Sequence, residues 1–209
     1  MTENTQHVEK AVREAFKSEE DLYQQVKIIT LKALTERSLD MANIKSVVQA
    51  VSKGISDGIS SQSIPAKNMF KQSIDALDDA LVKTAEASKL SIEEAASRMS
   101  EFSNHDLNRA TEDLKSLEEM FLETVGKVAR ESNEAFVEIV DDFISHAKQN
   151  GTSVGKQTQA ALEYLNDLRY LEQKTIITNT SAAASTLTTI ASGILSGIAE
   201  SLHSDKDDT

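Results

Sequence analysis

The side chains suited to acid–base or metal chemistry are few and scattered. Four histidines are present, His7, His105, His146 and His203. Glu101 lies one helical turn from His105, and Asp142 one turn from His146. A di-iron bundle needs a Glu-x-x-His on each of two helices, together with two further Glu. Glu200-Ser-Leu-His203 is the one such spacing, and it sits by the C-terminal end. The acid–His neighbours therefore read as surface pairs. Asp75, Asp78 and Asp79 lack the turn glycine and helix-breaking loop of a calcium site and read as a solvated helix face. There is no Cys, so thiolate metal sites and Cys–His nucleophiles are excluded. No glycine-rich phosphate loop and no Gly-x-Ser-x-Gly elbow occurs. Arg98, Arg109 and Arg130 are separated by acids, and the net charge of -12 disfavours phosphate. The expectation is a chain that is no enzyme, with no cofactor, metal, nucleic-acid partner or small-molecule substrate. It would hold no pocket where bonds are made or broken.

Residues of this kind would have to be positioned by helices. Aromatics are 4 % of the 209 residues, with one Pro and seven Gly. Sheet folds need aromatic and β-branched strands with frequent turn residues, and no window alternates with period two. Apolar residues instead recur at steps of three and four. Leu22, Val26, Ile29 and Ala33 make one stripe, and Ile44, Val48, Val51, Ile55 and Ile59 the next. Ser18–Asp21 resembles a capping box, and Ser38 or Asp40 can cap the helix after a break at 37–40. Pro65 marks a turn at 61–65. Ser91-Ile92-Glu93-Glu94 is a second capping box, which predicts a kink near 90–91. The longest stripe runs through Leu107, Leu114, Leu117, Phe121, Val128, Phe136, Val140 and Phe143. Asn150-Gly151 then offers a left-handed C-cap, with a turn at 150–153.

The predicted fold is all-α, with more than about four fifths of the residues helical against a usual third. An unbroken helix over 92–149 would extend roughly 85 Å at 1.5 Å per residue. The architecture expected is one elongated domain over 1–203, an antiparallel bundle of long amphipathic helices with coiled-coil-like packing. Residues 204–209 read as an acidic disordered tail. Residues 63–150 hold eighteen acids and ten bases, so most of the excess charge lies in the central helices.

Two segments share Gly-Ile-x-x-Gly-Ile: Gly54, Ile55, Gly58, Ile59, and Gly193, Ile194, Gly197, Ile198. A helix-interior Gly costs up to about 1 kcal/mol relative to Ala. Two of them one turn apart make a flat strip for close helix–helix contact. Residues 175–199 carry no charge but many Ser and Thr. Burial in a bundle or oligomer, adsorption to an apolar surface and membrane crossing are the three readings, with the polar content opposing the last.

The blocks Ile29–Glu36, Glu101–Ala110, Leu117–Thr124 and Ile190–His203 resemble an uncharacterised bacterial family of helical proteins. In general character the chain is also similar to phasins, helical proteins that coat polyhydroxyalkanoate granules. Ala66–Arg98, with Phe70, Ile74, Leu77 and Leu81, looks most like a phasin helix. No functional residue is carried over. The narrow seams, the uncharged last helix and the acidic central helices, together with this likeness, give the expectation of a non-enzymatic, self-associating interaction protein on a hydrophobic polymer or lipid surface. A coiled-coil scaffold oligomer and a membrane-active bundle are the alternatives. Met1–Lys10 is polar, which gives a cytoplasmic expectation, with association to storage granules.

Overall fold

The computed structural model describes residues 3–18, 21–60, 66–97, 104–172 and 184–204. Among them lie nine α-helices and no strand. They are α1 (Glu3–Ala15), α2 (Leu22–Thr35), α3 (Met41–Ser60), α4 (Ala66–Ser97), α5 (Asn104–Lys115), α6 (Leu117–Arg130), α7 (Glu134–Asn150), α8 (Ser153–Glu172) and α9 (Ala184–Ser204). The Pro65 turn, Arg98 and the acidic tail beyond Ser204 lie outside the described residues.

Short polar side chains set several of the helix starts. Asp21 Oδ1 accepts from Gln24 N at 3.2 Å and caps α2. Asp40, not Ser38, caps α3: its Oδ1 accepts from Asn43 N at 2.8 Å while Oδ2 accepts from Ser38 Oγ. Asn133 caps α7 through Phe136 N at 2.9 Å. This last cap ends the long helix expected over 92–149. The chain breaks at 131–133, where the Asn133 side chain replaces the missing turn. Between α5 and α6 the helical bonding carries on through Ser116, whose N donates to Glu112 O while Met120 N donates to Ser116 O.

The second capping box, at 91–94, does not interrupt the helix. α4 runs through it for 32 residues, about 48 Å. No Pro or Gly interrupts its hydrogen bonds, and the Ser91 hydroxyl donates to Leu187 O on α9 instead of capping. Gly151 ends α7, but its φ of 72° and ψ of 158° are not the left-handed helical values that Asn-Gly suggests. That region is open to Gly almost alone. Gly151→Ala is expected to lower stability by about 1 kcal/mol, read as a shift in the urea midpoint with unchanged slope.

α4 is the spine. It packs against α2, α3, α5, α8 and α9, while α1 packs on α3, α3 on α6, and α6 on α7. Ala76, Leu77 and Asp78 are buried in succession, as are Val47 and Val48, then Ala50, Val51 and Ser52, on α3. Burial of neighbouring positions means contact on several sides, wider than the narrow seam read from the spacing. Phe70 stacks edge-to-face on Phe136 and Phe143, with centroids 5.7 and 5.9 Å apart, and Phe143 meets Phe121 at 6.1 Å. These rings tie α4, α6 and α7 together.

Candidate functional site

The two halves of the glycine repeat have different surroundings. On α3, Gly54 and Gly58 form the bed of α1. A Cβ on Gly54 would lie 2.6 Å from Glu9 O and 2.7 Å from Val12 Cβ, and one on Gly58 would overlap the Phe16 ring. Ile55 and Ile59 are buried beside them. On α9, no atom of the described residues lies within 4 Å of the same position at Gly193 or Gly197. Ile194 and Ile198 are half-buried against the core. The same six-residue pattern therefore serves close packing once and lies open once. The long stripe is placed inside: Leu107, Leu114, Leu117, Phe121, Val128, Phe136 and Val140 are buried, and Phe143 is half-buried.

α9 sits on α4 and α2 with one face. Leu187, Ala191 and Leu195 are its buried members among the described side chains. Polar bonds complete the seat. Ser192 Oγ donates to Arg37 O at 2.7 Å and lies 3.2 Å from Thr35 O, satisfying carbonyls left over at the end of α2. Leu39 N donates to Thr188 O at 3.4 Å. Thr189, Gly193 and Gly197 lie exposed on the other face. Residues 173–183, most of the uncharged run before this helix, lie outside the described residues. Among the described residues no helix is long and apolar enough to cross a membrane.

The aspartates of α4 do not form a solvated face. Asp78 is only 9 % exposed and accepts from Ser153 N at 2.8 Å and Val154 N at 2.9 Å. It caps α8 from a different helix. Glu118 Oε1 of α6 accepts from Thr152 N and Thr152 Oγ1 at 2.8 and 2.7 Å, and lies where a side chain on Gly155 would stand. Burial pushes the Asp78 carboxyl up, and the two N–H bonds pull against it. Asp79 accepts from the Tyr23 hydroxyl and pairs with Lys27 at 3.4 Å, while Asp75 pairs with Lys71. Sequence spacing could not reveal these cross-helix partners, because the donors lie 34 to 76 residues away.

The histidines do not converge. His7, His105 and His146 are exposed, and His146 Nδ1 lies 3.2 Å from the Asn150 amide. The His203 side chain lies outside the described residues. Among the described residues no three His, Cys, Asp or Glu gather to hold a metal ion.

A concave feature is also present among the described residues. A cleft of about 750 Å3 opens between the start of α3, α4, α5 and α9. Its buried wall is apolar, with Leu39, Ile44, Ile92, Leu114 and Leu187. Asp40, Lys45, Asp106, Arg109 and Asp113 also line it. Burial pushes the Asp113 carboxyl up, Arg109 one turn back pulls it down, and Asp40 raises it further. No local spacing marks this cleft, because its residues come from five helices and the turn before α3.

The chain belongs to a family of unknown function, DUF6781, whose model matches residues 1–204. No curated protein and no solved structure matches it. The likeness to an uncharacterised helical family therefore stands, and it brings no activity with it.

Proposed function

We propose that this chain is a non-enzymatic helical interaction protein, phasin-like in character. It coats an apolar particle surface such as a polyhydroxyalkanoate granule in the cytoplasm and self-associates there. The observation that carries this reading is α9. One of its faces is held by a few apolar side chains and by hydroxyl bonds. The other is uncharged from Thr189 to Gly197 and flattened by two glycines that no other described residue approaches within 4 Å. A smooth, weakly apolar face lets a soft hydrocarbon surface approach the backbone closely. The stripes of α3, α4 and α6 are already occupied by one another, so they are not the elements offered to the particle. Leu90 and Tyr164 are the exposed large apolar side chains among the described residues. That closed core also favours a second reading, a scaffold whose contacts are made only with its own copies.

Co-sedimentation with purified polymer granules tests the proposal. The wild-type chain is expected to bind. Gly193→Asp with Gly197→Asp places two charges on the open face, where there is room for them, and is expected to weaken binding at least about tenfold. Its melting temperature should stay near that of the wild type. Failure of the wild-type protein to bind, or equal binding by the variant, overturns the reading. A stable oligomer without granule affinity would establish the scaffold instead.

A further inference from the structure

The cleft between α3, α4, α5 and α9 points to a ligand of its own, independent of what α9 meets. A well-packed core leaves few voids larger than a water molecule. A space of about 750 Å3 lies within the size range of small-molecule sites, about 300–1,000 Å3. Apart from Ser91 and Asp106 its buried wall is hydrocarbon, and Asp40, Lys45, Arg109 and Asp113 lie toward solvent. That pairing suits a molecule with an apolar body and one polar end.

The charges decide which polar end. Three carboxylates, Asp40, Asp106 and Asp113, line the cleft against two cations, Lys45 and Arg109. Asp40 is spent on the α3 cap, accepting from Asn43 N, Asn43 Nδ2 and Ser38 Oγ. Asp106 is buried and already engaged. Lys45 leans away toward Glu123, at 3.9 Å. Asp113 is half-buried and accepts no hydrogen bond among the described residues, with Arg109 as the cation acting on it. An anionic head would have to draw Arg109 from Asp113 and lie among three carboxylates. A cationic head supplies what Asp113 lacks.

We propose that this cleft binds a single-chain amphiphile with a cationic head, its hydrocarbon against Ile44, Ile92, Leu114 and Leu187 and its ammonium group at Asp113. Desolvation makes the pairing stronger than at a free surface, because the hydrocarbon wall excludes water from one side of the carboxylate.

Titration calorimetry of the full chain tests this with dodecylammonium and dodecanoate, each below its micellar concentration. Dodecylammonium is expected to saturate one site and to bind at least about tenfold more tightly than dodecanoate. Asp113→Asn should remove most of that preference. Glu138→Gln removes the same charge from an exposed position on α7 and should leave it intact, which separates local recognition from the overall acidity. Ala110→Trp, at the half-buried edge of the cleft, should weaken both ligands. Circular dichroism establishes that each variant is folded. If Ala110→Trp is not, the comparison of Asp113→Asn with Glu138→Gln decides alone. Absence of saturable dodecylammonium binding, equal or tighter binding of dodecanoate, or equal effects of Asp113→Asn and Glu138→Gln would overturn the proposal.

Discussion

Replacing Gly54 with Ala is expected to destabilise the protein by up to about 2 kcal/mol, while the same change at Gly193 stabilises it by up to about 1 kcal/mol. Both glycines lie in helix interiors and begin identical Gly-Ile-x-x-Gly-Ile patterns. Helix propensity favours Ala at both positions by about 1 kcal/mol. At Gly54 a methyl group would stand 2.6 Å from a backbone oxygen and 2.7 Å from Val12 Cβ. Neither is the free end of a side chain, so α1 as a whole must retreat from α3. That retreat loosens Val8 and Val12, which are 4 % and 0 % exposed. Overpacking of this kind typically costs about 1–3 kcal/mol before the propensity gain is returned. At Gly193 nothing among the described residues lies in the way, and the propensity term acts alone. Urea midpoints for the two variants should move in opposite directions. A neutral or stabilising Gly54→Ala would mean that α1 does not sit on α3 this closely.

Asp78→Ala should cost about 3 kcal/mol, against no more than about 0.5 kcal/mol for Asp75→Ala on the same helix. Asp78 is the shared acceptor for the first two N–H groups of α8, and Val154 is fully buried. A buried donor left without an acceptor costs about 1–3 kcal/mol, and a lost cap about 0.5–2 kcal/mol. Removal of a carboxylate that burial disfavours offsets part of this. Asp75 is exposed and paired with Lys71 across one turn, an arrangement worth a few tenths of a kcal/mol. The loss at position 78 should be accompanied by faster hydrogen exchange at the start of α8. Equal unfolding midpoints for the two variants would remove Asp78 from its role as a cap between helices.

Local signals in the sequence carried much of this fold. Asp40 before Met41 and Asn150-Gly151 after α7 are read from residue type, because a cap acts within a few residues of itself. The apolar spacing from Leu107 to Val140 follows the buried faces of α5, α6 and α7, since each helix sets that geometry over its own turns. It did not give the break at 131–133. Asn133 is a good cap, but a cap residue inside a strong stripe is read over unless the neighbouring helices are known. The same limit hid the difference between the two glycine pairs. Which one another helix approaches depends on α1, and α1 shares no pattern with α3. Asp78, Glu118 and the lining of the cleft lie further beyond reach. Their partners are 34 or more residues away, and only the packing around α4 brings them together.

Hydrogen exchange on the full chain, free and bound to polymer granules, tests most directly whether α9 alone is the face offered to the particle. Amides of α1, α3, α4 and α6 should keep the same slow exchange in both states, while those of α9 change on binding. Loss of protection through α3 and α4 on the granule, or an unchanged α9, would contradict it.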